Sequence, residues 1–521
     1  MFNLGQLPAI MHRDELAIAY NAFSIIETGK DEWGTPWPLV FKSFGDYKLP
    51  VMVYSTALGI KLFGLNQFGA RFMAALLSSL AVPLAYFFVK ELFRSRRLAL
   101  MVSLLLAFSF WHLHNSRNIY EPVVSLTFTI PSYWALFKAA KAGRYLWVSL
   151  FFFWFSIWIY NTALIIFVPL FLSWMVYSWK NFSSRLKKVW LLGFLAMLVI
   201  VLSYVYLTMG ITSGKSQTTI FFSQQLVDEN KARLHRFWIS GVPLYPILVN
   251  GERTMQIVYH FYQSYVMAFS PVYLFFSGGN NSWHNLTRID LGDINPVLLP
   301  LALMGLVFLI KEIKKPASVF LLLLLVLAPL PSALTVDSPN TNRLIDLHFI
   351  VEIMAAVGFV LAMQQIKSRL RPAMMTLTVF AYLVLTAQFL SRYFLIYNKS
   401  LHPDWHEGFD QLMKRVDLEK GNYDQVIVDT QVPAAYIYYA FYAQYPPEKL
   451  QQLPSVSTNN FNRLNQIDNI YFGPADSYPT QTSERILVVK SASHQLTDQS
   501  FLFSILNWEN YSLWYGAVFQ I

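Results

Sequence analysis

The 521-residue sequence contains no cysteine, which removes disulfide frameworks, thiolate nucleophiles and Cys-ligated zinc and leaves the redox compartment unspecified. Charge is also scarce, since Asp, Glu, Lys and Arg make up 13% of the chain where a soluble protein carries roughly a quarter. The opening residues MFNLGQLPAIMHRDEL lack the basic start and long apolar run of a signal peptide, so export must come from internal segments. What is abundant is apolar and aromatic: 55% of residues are hydrophobic, with 43 Phe, 29 Tyr and 15 Trp. That composition makes the bilayer the expected solvent, with rings packed between helices and at the headgroup level. The formal charge of +10 does not point to nucleic acid, because most of the excess falls in short clusters between apolar segments.

A helix needs roughly 20 apolar residues to cross about 30 Å of hydrocarbon. On that measure ten runs predict membrane helices, near 68 to 92, 98 to 113, 120 to 137, 146 to 162, 163 to 179, 189 to 209, 296 to 311, 317 to 335, 347 to 366 and 373 to 395. Polar Tyr160, Asn161 and Thr162 divide the stretch from 146 to 179. Basic clusters follow alternate spans: Arg94, Arg96 and Arg97; Lys138, Lys141 and Arg144; Lys180, Arg185, Lys187 and Lys188; Lys311, Lys314 and Lys315; Lys367, Arg369 and Arg371. The positive-inside rule places all five in the cytoplasm. Residues 1 to 67, 112 to 121, 210 to 295, 336 to 346 and the tail from 396 then face outward.

The expected architecture is an α-helical polytopic membrane protein of about ten transmembrane helices. Residues 1 to 67 form an extracytoplasmic loop with interfacial helices, VMVYSTALGIKLFGL after Pro50 being one; 68 to 395 form the transmembrane domain with its outer loop at 210 to 295. In residues 396 to 521, the β-rich runs QVIVD and RILVVK alternate with helical AAYIYYAFYAQ, which predicts a small extracytoplasmic α/β domain.

The strongest local signal for chemistry is HRDEL, His12 to Leu16. A carboxylate just outside the membrane can take a proton from an attacking hydroxyl once it lies within hydrogen-bond reach. Taken alone, adjacent Asp14 and Glu15 read first as a solvated acidic loop.

Their context narrows the reading. LGQLP, HRDE, AYNAFSIIETGKDEWG, SFGDYKLP and FGLNQFGAR are followed by a helix ending in basic residues and by HNSRNIYEP. Further on come YQSYVMAFSPVYLFFSGGNNSWHNLTRIDLGD and PLPSALTVDSPNTNRLI. In this order, over most of residues 1 to 400, the chain resembles GT-C-type membrane glycosyltransferases, specifically the protein O-mannosyltransferase and aminoarabinose transferase superfamily. The resemblance implies a GT-C-like fold and transfer of a sugar from a polyprenyl phosphate to an extracytoplasmic hydroxyl by inverting displacement. The phosphate already leaves well, so one base suffices where a glycosidase also needs an acid.

By that resemblance Asp14 is the base, and Glu15 orients the site or the acceptor. The charge developing on the phosphate calls for fixed cations, and the guanidinium fork suits it. Arg117, with Glu121 four residues on, is one candidate, and its alternative role is interfacial snorkelling. Arg343, in the outer segment NTNRLID, is the other, because a cation there runs against the basic-inside bias. Lys48 beside Tyr47 is a further substrate-binding candidate or a headgroup anchor, and His284 is a loop residue near the substrate or merely polar. The reading needs no metal and no cofactor beyond the lipid-phosphate sugar; protein, lipid and glycan acceptors all fit.

Two departures stand against the resemblance. The family's catalytic loop follows a first membrane helix, whereas this chain opens with MFNLGQLP, as expected of a start placed too far downstream or of a fragment. Glu352, inside the ninth expected span, is a costly intramembrane group that the family pattern does not lead one to expect. Two other classes compete. A transporter or flippase of a lipid-linked substrate would show repeats and charges deep in several spans, whereas the polar residues cluster on the outer side. A cell-wall polymer ligase would lean on the loop at 210 to 295 and leave HRDE unexplained.

Overall fold

The computed structural model describes residues 2–8, 10–43, 47–208, 219–220, 253–279, 286, 291–397, 408–430, 432, 434–455, 463–474, 485–491, 501–506 and 512–520. The chain divides into two compact units. One comprises Met1–Ala75, Arg117–Ile119 and Phe394–Ile521, the other Leu76–Ser116 and Tyr120–Tyr393.

The second unit is helical, and each of the ten apolar runs forms helix over most of its length. Among the described residues six helices are long and apolar enough to cross a membrane: Gln67–Phe93, whose first turns belong to the first unit, Thr162–Asn181, Ser184–Thr208, Pro316–Ala333, Ile345–Gln365 and Arg371–Leu395. The other four runs give shorter or more polar helices, Arg96–Ala107, Glu121–Ala139, Arg144–Ile157 and Leu298–Lys311. The expected span at 98 to 113 is interrupted at Phe108 and Ser109, after which a short helix, Phe110–Asn115, begins. The break before Thr162 falls on the polar residues that predicted it. Leu192, Val199 and Leu202 on one long helix, and Leu377 and Leu383 on another, are exposed. In water such surfaces would aggregate, whereas a bilayer covers them at no penalty.

Close packing in this unit depends on small residues. A Cβ on Gly305 would lie 1.9 Å from the Met354 carbonyl oxygen, and one on Gly358 would lie 1.8 Å from that of Leu301. The helices Leu298–Lys311 and Ile345–Gln365 therefore pack backbone to backbone, as small residues permit between membrane helices.

The first unit begins with α1 (Arg13–Thr28), which ends at Gly29 in the left-handed conformation with φ 69°, where the Gly29 N–H reaches the Ile25 carbonyl. A two-stranded hairpin, β1 (Phe41–Lys42) and β2 (Tyr47–Lys48), leads into α2 (Pro50–Phe63), whose proline occupies the first helical position. The carboxy-terminal part supplies a mixed six-stranded sheet. Its strands are β3 (Gln425–Asp429), β4 (Gln466–Ile467), β5 (Ile470–Phe472), β6 (Arg485–Ser491), β7 (Phe501–Leu506) and β8 (Ser512–Gln520), in the order β4-β5-β3-β6-β8-β7. Central β3 runs parallel to both β5 and β6. That position, buried on both faces, suits the unbroken Val426-Ile427-Val428 run.

The helices Ala435–Tyr442 and Pro447–Gln452 of this part pack on α1. The Tyr20 hydroxyl donates to the Tyr445 carbonyl at 2.7 Å, and the Gln451 amide donates to the Ser24 and Thr28 hydroxyls at 3.0 and 2.9 Å. The amino-terminal segment and the carboxy-terminal sheet, expected as separate domains, thus share one compact unit.

Candidate active site

The start of α1 is built by a capping box. His12 is the N-cap, its Nδ1 accepting the Asp14 N–H at 3.4 Å, while Glu15 Oε2 accepts the His12 N–H at 3.1 Å. The box satisfies two amides that would otherwise lack helical partners. Glu15 does more than cap. Arg71 holds it in a fork, Nε to Oε1 at 3.0 Å and Nη2 to Oε2 at 3.1 Å, and the Ile119 N–H donates to Oε1 at 3.0 Å. Both side chains of this pair are 0% exposed. Arg71 also donates to the Pro8 and Ile10 carbonyls at 2.7 and 3.0 Å. Pro8, Ile10 and Glu15 are therefore pinned around one buried guanidinium.

Asp14, the residue before Glu15, is 39% exposed and faces Lys48 Nζ at 3.2 Å, whose own side chain is only 7% exposed. Burial raises the Asp14 carboxyl, but Lys48, His12 and Arg13 lower it by more and hold it well below the usual carboxylate range. Its place in the first turn of α1 adds the partial positive charge of the helix N-terminus. The result is one solvent-accessible, persistently ionised carboxylate with a near-buried ammonium against it. Tyr47 precedes Lys48 on β2, so the two side chains leave the hairpin on opposite faces.

The other expected site residues fall in several places. Arg117 belongs to the first unit, where Nη2 donates to the Phe2 and Leu7 carbonyls at 2.8 and 3.2 Å and the guanidinium lies 5.3 Å from the Phe394 ring. Glu121 opens the helix Glu121–Ala139 of the second unit, half-buried. His284 lies outside the described residues. Arg343 belongs to the second unit and ends a single 3-10 turn, Thr341–Arg343, capped by the Asn340 side chain. There it pairs with Asp337 and donates to the Thr335 hydroxyl at 3.1 Å, its side chain 21% exposed. Burial raises the Asp337 carboxyl, and Arg343 more than reverses this, leaving it below its ordinary value. Glu352 is buried and accepts the Trp111 indole N–H at 3.1 Å.

Two buried arginines were not singled out from the sequence. Arg71 sits in the quoted FGLNQFGAR, yet nothing local ties it to Glu15. Arg463 pairs with fully buried Glu32 of the quoted TGKDEWG, donates to its carbonyl and lies 4.8 Å from the Trp33 ring. Glu32 also accepts from Asn21 at 3.2 Å and from the Tyr436 hydroxyl at 3.0 Å. An arginine in an irregular stretch gives no sequence signal for such a role.

The model of the family described as dolichyl-phosphate-mannose-protein mannosyltransferase matches residues 48–206. An uncharacterized protein of Aquifex aeolicus (strain VF5) is 31% identical over 155 residues, which is 29% of this chain and 29% of that protein. The chain thus matches under a third of that relative's length. Among solved structures it is similar to ArnT from Cupriavidus metallidurans in the apo state, with a TM-score of 0.52 and 12% identity across 99% of this chain and 95% of the other. It is also similar to ArnT bound to undecaprenyl phosphate, with a TM-score of 0.51 at 12% identity and the same coverage. The chain is therefore a multi-pass membrane protein with the GT-C glycosyltransferase fold, and its residues 48–206 are similar to the mannosyltransferase family.

Proposed function

We propose that this protein transfers a sugar from a polyprenyl-phosphate donor to an acceptor hydroxyl on the extracytoplasmic side, with Asp14 as general base. The observation that carries the reading is the contrast between neighbours at the start of α1. Glu15 is buried and held by Arg71, whereas Asp14 is accessible, ionised and set on the frame that Glu15 fixes. In the reaction the acceptor oxygen attacks the anomeric carbon as its proton passes to an Asp14 Oδ, and the anomeric C–O bond breaks with its electron pair leaving on the polyprenyl phosphate. Glu15 is a positioning residue, since both its oxygens are engaged.

A carboxylate held so low is a poor proton acceptor while Lys48 stays against it. The donor phosphate supplies the release: a phosphodiester monoanion, gaining a second negative charge as the anomeric C–O bond breaks, draws Lys48 toward itself and leaves Asp14 more basic when the nucleophile arrives. Arg343 is the phosphate-binding candidate of the second unit, exchanging Asp337 for a phosphate oxygen, and Arg117 positions the amino-terminal segment of the first through the Phe2 and Leu7 carbonyls. Single-turnover transfer from a polyprenyl-phosphate sugar in proteoliposomes tests the whole reading. No transfer to any hydroxyl acceptor overturns it.

Arg343→Ala should raise KM for the lipid donor by roughly tenfold or more, the worth of a hydrogen bond to a charged group. Arg343→Lys keeps the charge but loses the fork, so it should be impaired as well. An unchanged donor response in Arg343→Ala removes this residue from the site.

The orientation rests on the five basic clusters. Because the chain has no native cysteine, a single engineered one reports cleanly. Lys30→Cys, an exposed position in the first unit, should react with an impermeant maleimide on intact cells, and exposed Arg185→Cys only after permeabilisation. The reverse pattern inverts the topology and removes the extracytoplasmic site.

A further inference from the structure

The first unit contains a cleft of about 630 Å³, within the roughly 300–1,000 Å³ range of small-molecule sites. It lies where the turn between α2 and the helix Gln67–Phe93 faces two helices of the carboxy-terminal part, Phe409–Glu419 and Ala435–Tyr442. Four amide side chains line it, those of Gln6, Asn66, Gln67 and Gln444. The Phe68 and Tyr442 rings lie among them. Its two ionic groups, Asp410 and Lys414, are four residues apart on one helix and of opposite sign.

These features select a ligand class. A cleft whose two charges cancel gives no net attraction to a phosphate, which sets it apart from the Lys48 and Arg343 environments. An amide donates and accepts at once, as a sugar hydroxyl does, and so complements hydroxyls on either side of a ring. Aromatic faces cover the apolar C–H faces of pyranoses. The amides are also held in place: Asn66 Nδ2 donates to the Phe63 carbonyl at 2.6 Å and Gln444 Nε2 to the Leu65 carbonyl at 3.1 Å, bonds that use one N–H of each group.

The cleft wall also belongs to the framework of the candidate active site. The Tyr442 hydroxyl accepts the Met11 N–H at 3.4 Å, directly before His12, and the Gln67 amide at 3.1 Å. Gln67 lies one helical turn before Arg71, which clamps Glu15. A ligand in the cleft therefore rests on the residues that fix the start of α1.

We propose that this cleft is a subsite for an uncharged saccharide and holds the glycan portion of the acceptor. The acceptor role rests on the transfer reading above; saccharide binding itself does not. The test uses the full chain in nanodiscs without donor, with saturation-transfer NMR against three neutral trisaccharides (mannotriose, chitotriose and maltotriose) and a Ser/Thr-rich peptide. At least one trisaccharide should bind the unsubstituted protein. Asp410→Ala should weaken that binding at least tenfold, and Lys414→Trp, a bulky group at an exposed position, should abolish it with the thermal unfolding temperature unchanged. Unaltered trisaccharide binding in Lys414→Trp overturns the proposal, as does binding of none of the three, or loss of peptide binding alone. If trisaccharide binding follows the variants while no sugar leaves a polyprenyl phosphate, the subsite stands and the transfer reading falls.

Discussion

Asp14→Asn should lower single-turnover transfer by roughly 10²- to 10⁴-fold, the usual contribution of a general base. The amide keeps the size of the carboxylate and much of its hydrogen bonding but cannot take a proton. Lys48 loses its counter-charge in this variant, so a modest drop in unfolding temperature is expected and the rates are compared where both proteins are folded. Glu15→Gln should behave differently, its loss appearing first in thermal stability because Glu15 is buried against Arg71. Near wild-type transfer by Asp14→Asn would sink the assignment. A larger transfer defect in Glu15→Gln, at matched folding, would move the base to the neighbouring residue.

The same assignment constrains the pH profile. Lys48, His12 and Arg13 hold the Asp14 carboxyl below its ordinary value in the folded protein. A depressed carboxyl stays ionised as pH falls through the normal range, and its contribution to stability is lost only at still lower pH. The kcat/KM for transfer, which reports the free enzyme, should therefore show no acid limb from Asp14 between pH 7 and about 4. Lys48→Met removes the main depressing charge and should bring that limb upward into the measurable range.

The largest expected effect on stability comes from Arg71→Met. Removing one partner of a buried ion pair leaves an uncompensated charge, at a cost of about 3–5 kcal/mol. Here the stranded group is Glu15, which also organises the His12 and Ile119 amides. Arg71 additionally ties down the Pro8 and Ile10 carbonyls, so the amino-terminal segment should loosen with it. Thermal unfolding in nanodiscs reads the loss, and limited proteolysis near residues 8 to 12 reads the loosening. The double variant Glu15→Gln/Arg71→Met removes both charges and should recover part of the stability. A single variant that unfolds like the parent would mean that the pair is not buried as the geometry describes it.

The sequence by itself determined the helices and the solvent they need. Membrane insertion reads the summed polarity of about 20 contiguous residues, a purely local property, and so the ten apolar runs appear as helix with the break before Thr162 where polar residues put it. The run QVIVD was legible as strand for the same reason, because its branched residues carry the signal themselves. HRDE, expected as part of an outer loop, proved to be the start of α1, where the acidic residue at the third helical position closes a capping box. Which of the two adjacent carboxylates lies open and which is buried was not legible. Successive side chains on a helix point about 100° apart, and only the neighbours decide which direction is inside. Those neighbours come from far along the chain: Arg71 lies 56 residues from Glu15, and Arg463 lies 431 residues from Glu32. Neither pairing leaves a trace in periodicity or composition, because an arginine that will be buried against a carboxylate looks locally like one that will remain in water. The union of the amino-terminal segment with the carboxy-terminal helices, through Tyr20, Tyr436 and Tyr442, is likewise a matter of complementary surfaces that exist only after the chain has folded.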